Sequence, residues 1–157
     1  MNNDNPGLAR WHDYIDNHRG DAEWLQDMLR EDCVFHSPVV HTPQRGKAVV
    51  SAYLTAADAT LGQSEFRYVR EMTHGPHALL EFTAEMDGIH VNGIDLITFD
   101  AEGLILDFKV MVRPLKAVNK VWEQMAAQLE RRQPSRSMTN RARSSGGANG
   151  NSTSSYP

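Results

Sequence analysis

The run ALLEFTAEMDGIHVNGIDLITFD, Ala78 to Asp100, decides the fold. Its first half alternates with period two, setting Leu80, Phe82, Ala84 and Met86 on one side and Glu81, Thr83 and Glu85 on the other, the mark of a half-buried strand. Asp87-Gly88 is a two-residue hairpin signal. A second strand follows from Ile89 to Asp100, and Ala101-Glu102-Gly103 turns the chain into a third, Leu104 to Arg113. A two-residue loop sets Met86 opposite Ile89, Ala84 opposite Val91 and Leu80 opposite Asp95. If Phe99 faces Leu104, then Ile97 faces Leu106 and Asp95 faces Phe108. Both hairpins then share one apolar face: Leu80, Phe82, Ala84, Met86, Val91, Asp95, Ile97, Phe99, Leu104, Leu106, Phe108, Val110 and Val112. The other face carries Glu81, Thr83, Glu85, His90, Asn92, Asp107, Lys109 and Arg113. A slip of one residue would scramble this sorting. Asp95 is the exception on the apolar face. An ionised carboxylate there is costly, so it is expected to be hydrogen-bonded, paired or kept neutral, and such carboxyls are enriched at functional sites. Spacing alone leaves a purely structural role equally open.

Working outward, Ser64 to Met72 reads as a further strand with Phe66, Tyr68 and Arg70 on one side, joined to the next by the turn His74-Gly75-Pro76-His77. Upstream the period becomes helical. Leu8, Trp11, Tyr14 and Ile15 share a face of a helix ending near Arg19-Gly20. Asp21 caps a second helix with Trp24, Leu25, Met28 and Leu29 as its apolar side. A short extended piece, Cys33 to Ser37, stops at Pro38. After a turn at Gln44-Arg45-Gly46, Val49, Val50, Tyr53, Leu54 and Ala57 form a third helix. Pro114 opens a last helix, with Leu115, Val118, Val121, Trp122, Met125 and Leu129 on its expected buried side.

The totals suit one such domain. The chain has 157 residues, 40% hydrophobic and 23% charged, room for one ordinary core. Residues 1–132 are read as that domain. Residues 133–157, rich in Ser, Gly, Asn and Arg, are read as a disordered tail, because they hold too little apolar surface to offset the entropy of ordering. The net charge is −4, but the tail carries Arg136, Arg141 and Arg143 without an acid, so the body carries −7. A body so acidic argues against nucleic acid as a partner. No apolar run is long enough to span a bilayer, and the N-terminus has no signal-peptide pattern, so a cytoplasmic protein without a membrane partner is expected. Cys33 is the single cysteine, which excludes an internal disulfide and a cysteine zinc cluster. None of the seven histidines has helical i, i+4 metal spacing, and neither a metal nor a cofactor is expected.

Two motifs carry a family resemblance. Asn92 to Ile105, with an acid two residues after a glycine and then Phe99-Asp100-Ala101-Glu102-Gly103-Leu104-Ile105, is similar to the penultimate-strand signature of the nuclear-transport-factor-2-like superfamily. Glu31-Asp32-Cys33-Val34-Phe35-His36-Ser37-Pro38 resembles the approach to its first strand, with Arg45-Gly46-Lys47 before the third helix. The closing Val112-Arg113-Pro114-Leu115 and its helix look like SnoaL-like domains. The resemblance implies an α+β cone: a curved antiparallel sheet with N-terminal and crossing helices around an apolar pocket, plus a C-terminal helix. It also implies a homodimer through the sheet.

Fold membership does not select a reaction. Against ketosteroid isomerases, Asp95 falls on the strand acid that hydrogen-bonds the substrate oxyanion, and Tyr14 near the tyrosine of the same oxyanion hole. The general base expected before the proline is here Ser37, which cannot take a carbon-bound proton without a base of its own. No Arg-x-Asp set of the epoxide-hydrolase kind occurs on the pocket strands. His36, at the family's pocket mouth, is a candidate acid or base beside Asp95 and Tyr14. Trp24, Met28, Ser37, Tyr53, Tyr68, Phe82, Phe108 and Val110 are the expected ligand-binding wall. Two readings follow. One is a cofactor-independent isomerase, cyclase or dehydratase acting on a small apolar, cyclic or polyketide-like molecule. The other is a noncatalytic ligand-binding or dimerisation module of the same fold.

Overall fold

A computed structural model describes residues 5–61 and 65–132. The expected tail lies outside the described residues. The elements run α1 (Pro6–Asp13), a π-helical turn (Tyr14–His18), α2 (Ala22–Asp27), β1 (Leu29–His36), β2 (Gln44–Arg45), α3 (Lys47–Leu61), β3 (Arg67–His74), β4 (His77–Met86), β5 (Ile89–Phe99), β6 (Ile105–Arg113) and α4 (Leu115–Arg132). The six strands form one sheet in the order β2-β1-β6-β5-β4-β3. All neighbours are antiparallel except β1 and β6, which run parallel. This is the expected α+β cone, with Gln44-Arg45 a short strand on β1 rather than a turn. Among the described residues no helix is long and apolar enough to cross a membrane.

Local chemistry explains the element ends. Asn5 caps α1 by accepting from the Leu8 N–H at 3.2 Å, with Pro6 at the first helical position. Asp21 caps α2, its Oδ1 accepting from the Glu23 and Trp24 N–H groups at 3.0 and 3.1 Å. Asp87 and Gly88 have φ of 49° and 78°, the left-handed pair that a two-residue hairpin requires. The β4–β5 register is as expected, with Leu80 opposite Asp95 and Ala84 opposite Val91.

Three expectations about side-chain direction need correction, two of them because of an irregular strand. The β5–β6 pair slips between Thr98 and Phe99, so that Phe99 faces Ile105, Ile97 faces Phe108 and Asp95 faces Val110. Ile105 is therefore buried, and Leu106, the expected core residue, lies between the phases. A second shift between Tyr68 and Arg70 turns Arg70 to the outer face, 3.3 Å from Glu81. On α4 the buried side is Ala117, Val121 and Met125, while Leu115 and Trp122 are 75% and 52% exposed.

The core lies between the concave sheet face and the helices. Tyr14, Phe35, Phe82 and Phe108 are its largest fully buried side chains, each contributing on the order of 1.5–3 kcal/mol by removal from water. The outer face is less polar than its charged residues suggested. Met72, Leu79, Leu96, Ile94 and Met111 lie across β3 to β6 on that side, with Met72 and Met111 well exposed.

Gly93 fixes how the sheet meets the core. It pairs with Phe82, and a Cβ there would overlap the Phe82 ring and sit 2.7 Å from the Met111 carbonyl oxygen. The Phe82 ring thus lies directly over the strand that bears Asp95. Because the carbonyl cannot swing aside as a side chain does, Gly93→Ala is expected to destabilise the domain by about 1–3 kcal/mol in urea unfolding. An unchanged midpoint would show that the approach is not this close.

Candidate functional site

Strand alternation carries Asp95 inward, with Leu80 opposite on β4 and Val110 opposite on β6. It is 6% exposed. Tyr68, inward on β3 opposite Phe82, donates its hydroxyl hydrogen to Asp95 Oδ2 at 2.6 Å. The Tyr68 oxygen in turn accepts from Trp11 Nε1 at 3.0 Å. A proton on Asp95 then resides on Oδ1, the oxygen not taken by Tyr68.

A second carboxyl stands beside the same space. Asp58 belongs to the apolar side of α3, at helical spacing from Val50, Leu54 and Leu61. Its Oδ2 accepts a short hydrogen bond from the Tyr14 hydroxyl, whose oxygen accepts from the Gly20 N–H at 3.3 Å. The π-helical turn that starts at Tyr14 delivers this group, and Arg19 just beyond it lays its guanidinium 4.6 Å from the centre of the Phe66 ring. Trp11, Ile15, Arg19, Leu54, Ala57, Asp58, Leu61, Phe66, Tyr68, Phe82, Asp95, Phe108 and Val110 enclose a partly open cavity of about 40 Å³.

The electrostatics follow from burial. Burial pushes the Asp95 carboxyl up from 3.8 to about 7. The Tyr68 hydrogen bond opposes this, the Asp58 charge adds to it, and Arg19 offsets part of it. Asp58 is also raised by burial, with Tyr14 and Arg19 pulling back. Asp58 is the less enclosed of the two. Both tyrosines are raised, by burial first and then by their carboxylates, and remain hydrogen donors at any ordinary pH. The cavity therefore brings two carboxyls together, the deeper of which keeps its proton nearly to neutrality.

Of the expected residues, Asp95, Tyr68, Phe82, Phe108 and Val110 meet at the cavity, and Tyr14 reaches it through Asp58. Trp24 instead stacks on the His18 ring at 3.8 Å, Met28 is buried in the core, and Tyr53 packs on Phe35 at 5.5 Å. Cys33 and Phe35 point inward from β1, so His36 points out. Its Nε2 lies 2.7 Å from Asp107 Oδ2 on the opposite side of the sheet from Asp95. Ser37 Oγ accepts from the Val39 N–H at 3.2 Å, in the loop beyond β1 and off the cavity wall. Asp58, Arg19, Trp11 and Phe66 were not expected at the site. Helical spacing held the signal for Asp58, which follows Leu54 by four residues, whereas Arg19 is placed by the π-helical turn before it. Among the described residues no group of three or more His, Cys, Asp and Glu side chains is placed to hold a metal.

The SnoaL-like domain model matches residues 8–108, and the chain belongs to that family. A crystal structure described as a steroid delta-isomerase from Pseudomonas aeruginosa is 37% identical with a TM-score of 0.74, the match covering 80% of this chain and 90% of that one. An uncharacterised protein with a cystatin-like fold from Silicibacter pomeroyi is 34% identical with a TM-score of 0.73, covering 80% and 86%. The epoxide hydrolase/cyclase-like enzyme SalBIII, of pyran ring formation in the polyether salinomycin, shares the fold at 18% identity and a TM-score of 0.58, covering 72% and 95%. No functionally curated protein sequence matches the chain.

The raised Asp95 has a stability signature. Its folded value of about 7 lies above the unfolded value near ~3.9, so the folded state holds the extra proton between them. Its stabilising contribution is complete below about pH 4 and lost as pH rises to about 7. Asp95→Asn, which keeps an oxygen for Tyr68, is expected to gain stability relative to the native protein across that window, by at most roughly 4 kcal/mol. Urea unfolding at pH 4 and pH 8 checks this. Curves that stay parallel would mean that Asp95 does not titrate there.

Proposed function

We propose that this protein is a cofactor-independent acid/base catalyst that moves protons on an apolar carbonyl compound, in the manner of an isomerase. The observation that carries this is the pair of carboxyls, half-buried Asp58 on α3 and buried Asp95 on β5, each held by a tyrosine at one largely apolar cavity. Ionised Asp58 removes a proton from the carbon next to the carbonyl. The oxyanion that forms accepts a hydrogen bond from protonated Asp95, whose other oxygen is fixed by Tyr68 and, behind it, Trp11. Asp58 then returns the proton to a different carbon, and no electron acceptor is needed. The base that Ser37 cannot be is thus supplied from a helix. The relative at 37% identity, described as a steroid delta-isomerase, supports the same reaction class.

The test needs no knowledge of the natural substrate. In D2O the protein is expected to exchange the α-hydrogens of a simple ketone such as butanone, followed by proton NMR. Asp58→Asn should lose at least about a hundredfold, the scale of general base catalysis. The native rate should fall as pH rises through about 7 with loss of the Asp95 proton, and Asp95→Asn should lack that limb. Exchange indifferent to both substitutions would refute the mechanism, and no exchange at all would assign the cavity to binding alone.

We also propose a homodimer through the outer sheet face, where Met72, Leu79, Ile94, Leu96 and Met111 lie together. Sedimentation at micromolar concentration should give a dimer, and Met111→Glu a monomer. A native monomer would dismiss the interface.

A further inference from the structure

Among the described residues that enclose the cavity, three carry charge: the acids Asp58 and Asp95 and the cation Arg19. Arg19 stands where the two tyrosine–aspartate chains come together. Next to it in the chain, the Gly20 N–H donates to the Tyr14 oxygen, and Tyr14 donates to Asp58. On the other side, the Arg19 guanidinium lies 4.6 Å from the centre of the Phe66 ring. Phe66 meets Tyr68 edge-on at 5.1 Å, and Tyr68 donates to Asp95. The positive charge reaches both acids and works against the rise in proton affinity that burial imposes on each. The other titratable groups that face the pair are Tyr14 on the π-helical turn and Tyr68 on β3. Behind Tyr68 stands His12 of α1, its ring 6.2 Å away and its Nε2 2.6 Å from Glu71. From β4 and β6 only the apolar Phe82, Phe108 and Val110 line the cavity.

A guanidinium is cationic at any ordinary pH. With one carboxyl ionised, the three charged groups sum to zero. With both ionised the sum is −1, and with neither it is +1. Net charge is costly in apolar surroundings, so the balanced state is favoured. We propose that Arg19 is a positioning residue that keeps one of the two carboxyls ionised and leaves the other its proton, so that a base and an acid coexist in one cavity. Its part in turnover rests on the proton-transfer reading above, whereas the charge balance rests on the cavity itself. In that turnover the base carboxylate takes the α-proton, the C–H pair becomes a carbon–carbon double bond, and the carbonyl π pair moves onto oxygen. The negative charge has then passed from the base to the ligand oxygen and the sum is still zero. One guanidinium thus supports the base before the step and the oxyanion after it.

The test is a pH titration of the full chain labelled at the aspartate carboxyl carbons with 13C, the signals of the pair assigned with Asp58→Asn and Asp95→Asn. Two well-separated midpoints are expected for the native protein. Arg19→Gln should raise the lower one by about one pH unit or more, and should slow deuterium exchange of butanone about tenfold below that midpoint. Arg19→Lys, which keeps the charge, should recover most of the shift. Midpoints in Arg19→Gln that match the native ones overturn the inference. A Lys variant shifted as far as the Gln variant also overturns it, because the effect is then one of packing. Should Arg19→Gln fail to fold, the native titration decides: one proton held by the pair at pH 6 supports the charge balance, and two or none overturns it. Shifted midpoints in a protein that exchanges no ketone hydrogen uphold the charge balance and sink the catalytic reading. Unshifted midpoints in a protein that does exchange them do the reverse.

Discussion

A carboxylic acid on the greasy inner wall of a sheet is the constraint around which this domain is arranged. Asp95 is almost wholly removed from water, so its environment must provide most of what water would. Tyr68 supplies a hydrogen bond at 2.6 Å, and Trp11 orients Tyr68 from the N-terminal helix. That chain ties α1 to β3 and β3 to β5, elements far apart in sequence. The same burial that raises the proton affinity of Asp95 leaves it a usable donor near neutral pH. The burial that makes Asp95 costly once ionised also raises its proton affinity, a combination enriched at functional sites.

The second carboxyl follows the same design with different parts. Asp58 is fixed by Tyr14, which is fixed by Gly20. Two tyrosine–aspartate pairs approach the cavity from its helical and its sheet side. Their environments differ in depth, and this difference separates their charges. Asp58 lies nearer solvent, while Asp95 is deeper and has its proton affinity raised to about 7. Such a separation of two like groups is the usual physical basis for dividing base and acid roles.

Much of this was legible in the residues. The Asp87-Gly88 turn fixed the β4–β5 register because its left-handed pair admits few alternatives. Period-two alternation then turned Asp95 inward, and that depended on no other strand. The β5–β6 pairing was less readable, because the extra residue near Leu106 leaves no compositional mark. The bulge beside Tyr68 misled for the same reason and concealed that Arg70 faces outward. On α4, hydrophobicity named Val121 and Met125 correctly but also Leu115 and Trp122, and passed over small, fully buried Ala117. At the site, the family pattern drew attention to His36 and Ser37, although Cys33 and Phe35 alternating inward already placed His36 on the far side. Asp58 was overlooked as an ordinary helix acid. Only its phase with Val50, Leu54 and Leu61 marked it.

The π-helical turn at Tyr14–His18 widens the last turn of the N-terminal arm before the chain leaves it at Arg19. It acts as a clutch between two rotational settings. Before it, Trp11 is aligned with the sheet acid; after it, Arg19 is aligned with the aromatic wall near the helix acid. The short N-terminal arm thus carries a partner for each acid, Tyr14 on Asp58 and Trp11 behind Tyr68, and a chain shortened there by a single residue would unseat both supports at once.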